Sequence, residues 1–179
     1  MGFNIEKFKS ELKPLTKSTF QKCLEKVDAN EICGFSLYSD NSAMTISVSL
    51  NTHGHLEEMK EDDPEYEAYF RWTPGEWKYE MINAKAFAEL NEMLQKAHLD
   101  ETDIAFLTHR NKVYNCAVEV LEELKQEGIF TKMEDDFVLM FAVSDFSEPE
   151  LETNFVQRLN SEQLTNEFEV WLESEKDED

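Results

Sequence analysis

ICGFSLYSDNSAMTISVSLN, residues 32–51, is the stretch on which the fold turns. Ile32 to Tyr38 is a compact apolar run. After it, Met44, Ile46, Val48 and Leu50 alternate with Thr45, Ser47, Ser49 and Asn51. Side chains of an extended chain point to opposite faces in turn, so this alternation describes a half-buried strand. Ser39-Asp40-Asn41-Ser42 between the two runs is turn chemistry, because short polar side chains bond their own backbone there. Residues 32–38 and 44–51 are therefore expected to pair as an antiparallel hairpin.

Upstream, residues 4–28 read as one helix or two. Phe8, Leu12 and Leu15, then Phe20, Leu24 and Val27, keep helical spacing on either side of Pro14. Downstream, Glu57 to Tyr69 holds seven acids and one Lys. A helix there should end at Asp62-Asp63-Pro64, since the residue before proline avoids helical backbone. Ala68 to Trp72 reads as a short strand or an extended bridge. In Trp72-Thr73-Pro74-Gly75-Glu76-Trp77 the spacing fits a capping box: Thr73 as N-cap, Pro74 at the first helical position, Glu76 at the third. Trp72 and Trp77 then stand at staple spacing, so a helix is expected to begin here, with both rings in the core or lining a pocket.

The later elements follow the same rules. Phe87, Leu90 and Leu94 mark one helical stripe. Leu107, Tyr114, Val118, Leu121 and Leu124 mark a longer one, which Gly128 should stop. Phe137 to Val143 is apolar throughout, which predicts a strand covered on both faces and therefore central. Ser147 with Glu150 suggests another capping box ahead of Phe155, Val156 and Leu159. Asn160 or Ser161 should cap a last helix bearing Leu164, Phe168, Trp171 and Leu172. The expected fold class is α+β: a small, mainly antiparallel sheet, made of the hairpin plus a central strand and covered by several helices. Residues 1–172 are expected to form one domain and 173–179 a disordered acidic tail.

Charge narrows the function more than any motif does. Thirty-nine acids oppose 17 bases, a net charge of −22, and the last seven residues supply only −4 of it. The −18 left on the body repels phosphate backbones and anionic lipid, so neither nucleic acid nor a membrane is an expected partner. A basic protein is; plain solubility is the alternative meaning of the same charge. The three cysteines, Cys23, Cys33 and Cys116, form no CxxC pair, which argues against a disulfide framework or a zinc ribbon. Met1 to Leu12 is charged and amphipathic and no long apolar stretch follows, so a cytoplasmic location is expected.

Several of these features together resemble a known family. They are the hairpin ending in Asn51-Thr52, the acidic helix after it, and Arg71-Trp72-Thr73-Pro74 with Trp77. Gly128 before an acidic loop and an apolar strand, and the late Arg158-Leu159-Asn160, complete the set. Over roughly residues 5–172 the chain resembles the bacterial domain of unknown function family 4303 (DUF4303). The resemblance implies a bacterial, cytoplasmic, single-domain protein and implies no reaction. By analogy, small acidic bacterial domains of this build include immunity proteins, which neutralise toxins.

No phosphate-binding glycine loop, nucleophile elbow or HExxH motif is present, which removes the common enzyme classes that depend on them. No catalytic residue and no cofactor is expected. His53-Gly54-His55 is the weak metal candidate: histidines two apart on an extended chain can share an ion, and nearby carboxylates could complete its shell. The other meaning of this tripeptide is the start of a helix. His109 and Cys116 stand two helical turns apart, about 10 Å, too far for a thiol–imidazole dyad. The candidate partner surface is Glu57, Glu58, Glu61, Asp62, Asp63, Glu65, Tyr66, Tyr69 and Arg71, with Arg71 alternatively an internal ion pair. Phe70 joins the tyrosines as a possible aromatic anchor. The expectation is thus a protein-binding module of the immunity or antitoxin kind, directed at a basic toxin-like protein. The alternative is a metal-dependent hydrolase using His53, His55 and nearby carboxylates.

Overall fold

The hairpin forms as expected. β1 (Ile32–Asp40) pairs antiparallel with β2 (Ile46–Thr52), in a register that sets Phe35 opposite Leu50 and Leu37 opposite Val48. A bulge at Cys33 interrupts the ladder between Ile32 and Gly34. At the turn, Asp40 Oδ1 accepts from the backbone N–H groups of Ser42 and Met44. The computed structural model describes residues 3–97, 104–146 and 148–176.

The rest is α1 (Ile5–Leu24), α2 (His53–Asp62), α3 (Glu67–Trp72), α4 (Ala88–Lys96), α5 (Ile104–Gln126), β3 (Val138–Ser144), α6 (Pro149–Leu159) and α7 (Glu162–Lys176). The class is α+β, with a mixed sheet in the order β2-β1-β3: the hairpin is antiparallel and β3 lies parallel to β1.

β1, not β3, is therefore the middle strand. Both faces of β3 are covered as its apolar run demands: Leu139 and Phe141 join the larger core, Val138 and Met140 the smaller one. Burial on two faces does not place a strand between two others, however. The outer edge of β3 is closed by one side chain. Asn160 Oδ1 accepts from Leu139 N–H at 3.0 Å, and its Nδ2 donates to Leu139 O at 2.8 Å and to Val156 O at 3.0 Å. An asparagine amide thus supplies what a fourth strand would, and hides an edge that could otherwise template pairing. Ser161 is then the N-cap of α7, accepting from Leu164 N–H at 3.3 Å. The far edge, on β2, is closed by the segment after Trp77: Leu50 and Tyr79 exchange two backbone hydrogen bonds, and Ile82 N–H donates to Val48 O.

That closure explains why no long helix starts at Pro74. The chain makes one 3-10 turn, Pro74–Glu76, and then extends; Thr73 makes no side-chain cap bond. Trp77 is needed elsewhere. Its ring lies on Gly34, where an added Cβ would stand 2.9 Å from the ring, and its Nε1–H donates to Arg71 O at 3.2 Å. Trp72 and Trp77 are both core residues. Residues 67–72 are helical rather than extended.

α1 runs unbroken through Pro14, which lies on the solvent side, where water can take up the carbonyl its ring leaves free. α5 ends in a Schellman motif: Gly128, at φ 77°, donates to Lys125 O and Ile129 N–H to Leu124 O. On α5 the inner face excludes Leu107, which is 49% exposed; Phe106 and Arg110 face inward instead. Glu148, not Ser147, stands at the N-cap position of α6, and its backbone N–H is taken by Glu152 Oε1 at 3.0 Å; Ser147 lies outside the described residues. α7 continues to Lys176, so Glu173–Lys176 are helical where a disordered tail was expected, and residues 177–179 lie outside the described residues.

α1 and α5 run in the same direction, joined by a ladder of ion pairs. Lys9 reaches Glu119 at 2.8 Å and Glu123 at 2.9 Å, Lys13 reaches Glu123 at 2.6 Å and Glu127 at 2.8 Å, and Lys17 reaches Glu127 at 3.2 Å. Hydrogen bonds from the lysines hold the Glu123 and Glu127 carboxyls below the usual range, and the glutamates raise Lys9 and Lys13. A depressed carboxyl stabilises the fold above its unfolded pKa and loses that contribution as pH falls through its folded one; a raised lysine does the reverse at high pH. The ladder should therefore act between about pH 5 and pH 10. In urea melts, Lys13→Gln is expected to lower the midpoint at neutral pH. The difference from wild type should shrink as pH falls below the usual carboxylate range, and also in about 1 M salt. A difference that persists in acid would mean that the ladder is not its cause.

Candidate functional site

α2 starts where His53-Gly54-His55 was met in the sequence. Thr52 is its N-cap, with Oγ1 accepting from His55 N–H at 3.3 Å, so the tripeptide forms the first turn of a helix. The two imidazoles face different partners. His53 Nδ1 lies 3.8 Å from Asp136 Oδ2, whereas His55 Nε2 is bonded to Glu76 O at 3.0 Å. Among the described residues, no three or more His, Cys, Asp or Glu stand at metal-binding spacing.

None of α2 is fully buried and no acid occupies its first turn. Its carboxylates, Glu57, Glu58, Glu61 and Asp62, all follow that turn and are exposed, as are Asp63 and Glu65 beyond it. Glu61 and Asp62 thus stand at the helix C-terminus, where the helix dipole disfavours negative charge. Lys60 offsets part of this, but it is engaged by Glu67 at 2.9 Å, and Lys78 lies 3.8 Å from Glu58. Beside the acids stands a row of rings: Tyr66 and Tyr69 have centroids 6.3 Å apart, and Tyr69 and Phe70 5.6 Å. Tyr66 is 45% exposed, and the other two are half-buried.

Arg71 does not belong to this surface. Its guanidinium turns inward, donating to Asp136 O at 2.9 Å, with Nε 3.8 Å from Glu167 and its centre 5.8 Å from the Trp72 ring. The other two arginines are also held within the fold. Arg158 grips both Glu122 oxygens, and Arg110 pairs with Glu148 against the rings of Phe106, Tyr114 and Phe146.

Tyr69 connects the acidic face to a cavity of about 390 Å³ at the carboxyl ends of the parallel strands β1 and β3. Tyr38, Tyr69, Trp72 and Trp171 supply aromatic wall; Glu76, Asp145, Glu152 and Glu175 supply carboxyl groups. The Tyr69 hydroxyl is 3.5 Å from Glu76 Oε1, and burial with that neighbour raises the phenol. Burial raises the Glu152 carboxyl as well, against the lowering effect of the Glu148 N–H it accepts from. The Trp171 Nε1–H is buried and has no acceptor among the described residues. Composition could not point to this cavity, because its walls come from β1, α3, β3, α6 and α7. The one local signal was the density of aromatic residues at the C-terminal end of the acidic segment, Tyr66, Tyr69, Phe70 and Trp72.

The cysteines offer no reactive thiolate. Burial pushes Cys33 and Cys116 up to about 12 and Cys23 up to about 11. His109 packs edge-on against Phe3 at 4.9 Å. No helix among the described residues is long and apolar enough to cross a membrane.

A family model described as a domain of unknown function (DUF4303) matches residues 12–161. No curated protein and no solved structure matches the chain.

Proposed function

The chain belongs to the DUF4303 family, and from that premise we propose that it is a protein-binding domain that docks a basic protein through α2 and the turn after it. The observation that carries this reading is α2 itself. A helix with no fully buried residue gains little from packing, and carboxylates in its last turn oppose its own dipole. A cationic partner would reverse the sign of that cost. Opposite charge would speed encounter, and Tyr66, Tyr69 and Phe70 would supply the desolvated contacts that slow departure. By analogy with small acidic immunity domains, the partner class we favour is a basic toxin domain, which makes this protein its immunity factor. Cytoplasmic location belongs to the same proposal.

The test is affinity capture at low salt from cells that make the protein, comparing wild type with Glu61→Lys/Asp62→Lys/Asp63→Lys. Wild type should retain a basic protein that the triple variant loses while keeping its thermal midpoint. Equal retention by both would refute the assignment of the surface.

A further inference from the structure

The cavity beside α2 has a wall chemistry that selects its ligand. Tyr38, Tyr69, Trp72 and Trp171 are among the aromatic side chains that line it, together with four carboxyl groups, Glu76, Asp145, Glu152 and Glu175. No lysine or arginine stands among its described lining residues. Aromatic faces attract cations through the ring quadrupole, most strongly where water is excluded, and a planar guanidinium can also stack on them. Carboxylates add a bidentate partner for the same group. The cavity is large enough for one long side chain and a short stretch of backbone. Trp171 Nε1–H adds a buried donor without an acceptor, in a residue that lines the cavity.

We propose that this cavity receives an arginine side chain of the docked partner, held between the aromatic walls and the carboxylates. The inference rests on the protein-binding reading and extends it: α2 attracts the partner, and the cavity takes one defined residue from it. Tyr69 belongs to both, since its ring continues the row from Tyr66 and also lines the cavity.

The experiment uses the full chain and the probe acetyl-Gly-Arg-Gly-amide, followed by tryptophan fluorescence and amide NMR shifts. The peptide with citrulline in place of arginine, the same shape without the charge, should bind at least about tenfold more weakly. Glu152→Gln keeps the acceptor for Glu148 N–H and should weaken the arginine peptide by about tenfold with an unchanged melting temperature. Trp171→Phe, which keeps a ring with a weaker quadrupole, should weaken the arginine peptide more than the citrulline peptide. Equal binding of the arginine and citrulline peptides would overturn the proposal, as would shifts confined to α2. If the arginine peptide fails to bind while the triple lysine variant still loses a basic partner, the cavity assignment alone falls. If the peptide binds and the variant keeps that partner, the α2 reading falls and the cavity stands.

Discussion

Replacing Trp77 by alanine is expected to lower the unfolding free energy by about 3–5 kcal/mol, the range for removing a large buried aromatic side chain. The ring is only 3% exposed and lies on the backbone of β1, at the one strand position without a side chain. Its Nε1–H also holds the end of α3 through Arg71 O. The loss would open a void beside Gly34 and free that carbonyl together. A substitution at Gly34 probes the same contact from the other side. Gly34→Ala would bring Cβ to 2.9 Å from the ring, so it should destabilise wild type but be better tolerated in the Trp77→Ala background. Thr73→Ala is the control: its hydroxyl makes no cap bond, so no change attributable to capping should appear. Denaturant melts of wild type and the four variants check this. A cost for Thr73→Ala close to that of Trp77→Ala would contradict the packing account.

The second large effect is expected at Asn160. Its amide makes the only side-chain closure described at the outer edge of β3, and Leu139, whose backbone it pairs, is buried. Asn160→Ala leaves both the N–H and the C=O of Leu139 without that partner, and each buried orphan costs about 1–3 kcal/mol. A combined loss of about 2–6 kcal/mol is expected. Exposing a parallel edge should also promote association between chains at high concentration. Urea melts and sedimentation of the variant test both parts. A variant as stable and as monodisperse as wild type would show that the edge is closed by something else.

How far the sequence can be read depends on whether an element is set locally. The hairpin was legible because alternation at Ile46, Val48 and Leu50 and the turn at Asp40 depend only on neighbouring residues. The end of α2 before Pro64 and the stop of α5 at Gly128 were legible for the same reason. The Trp72–Trp77 segment was misread because a good local capping pattern was overruled by tertiary demand: Trp77 packs on Gly34, and Tyr79 must reach Leu50. The position of β3 was misread because its apolar run reports covered faces, whereas strand order is set by hydrogen-bonding edges, one of them closed by a distant Asn160. For the site, the acids of α2 were visible as charge. The inward turn of Arg71 toward Asp136 was not, since its partner lies 65 residues away.

The most direct measurement of the central claim is the association rate of a recovered basic partner, followed across ionic strength. Three chains are compared: wild type, Glu61→Lys/Asp62→Lys/Asp63→Lys, and a chain ending at Lys176, chosen because Glu175 lines the cavity. The account predicts that the triple variant associates at least about tenfold more slowly at low salt and approaches wild type near ~1 M salt, where screening shortens the reach of charge to a few ångströms. The shortened chain should match wild type throughout. A rate that follows the removal of residues 177–179 and is indifferent to the charge reversal at Glu61, Asp62 and Asp63 would contradict it.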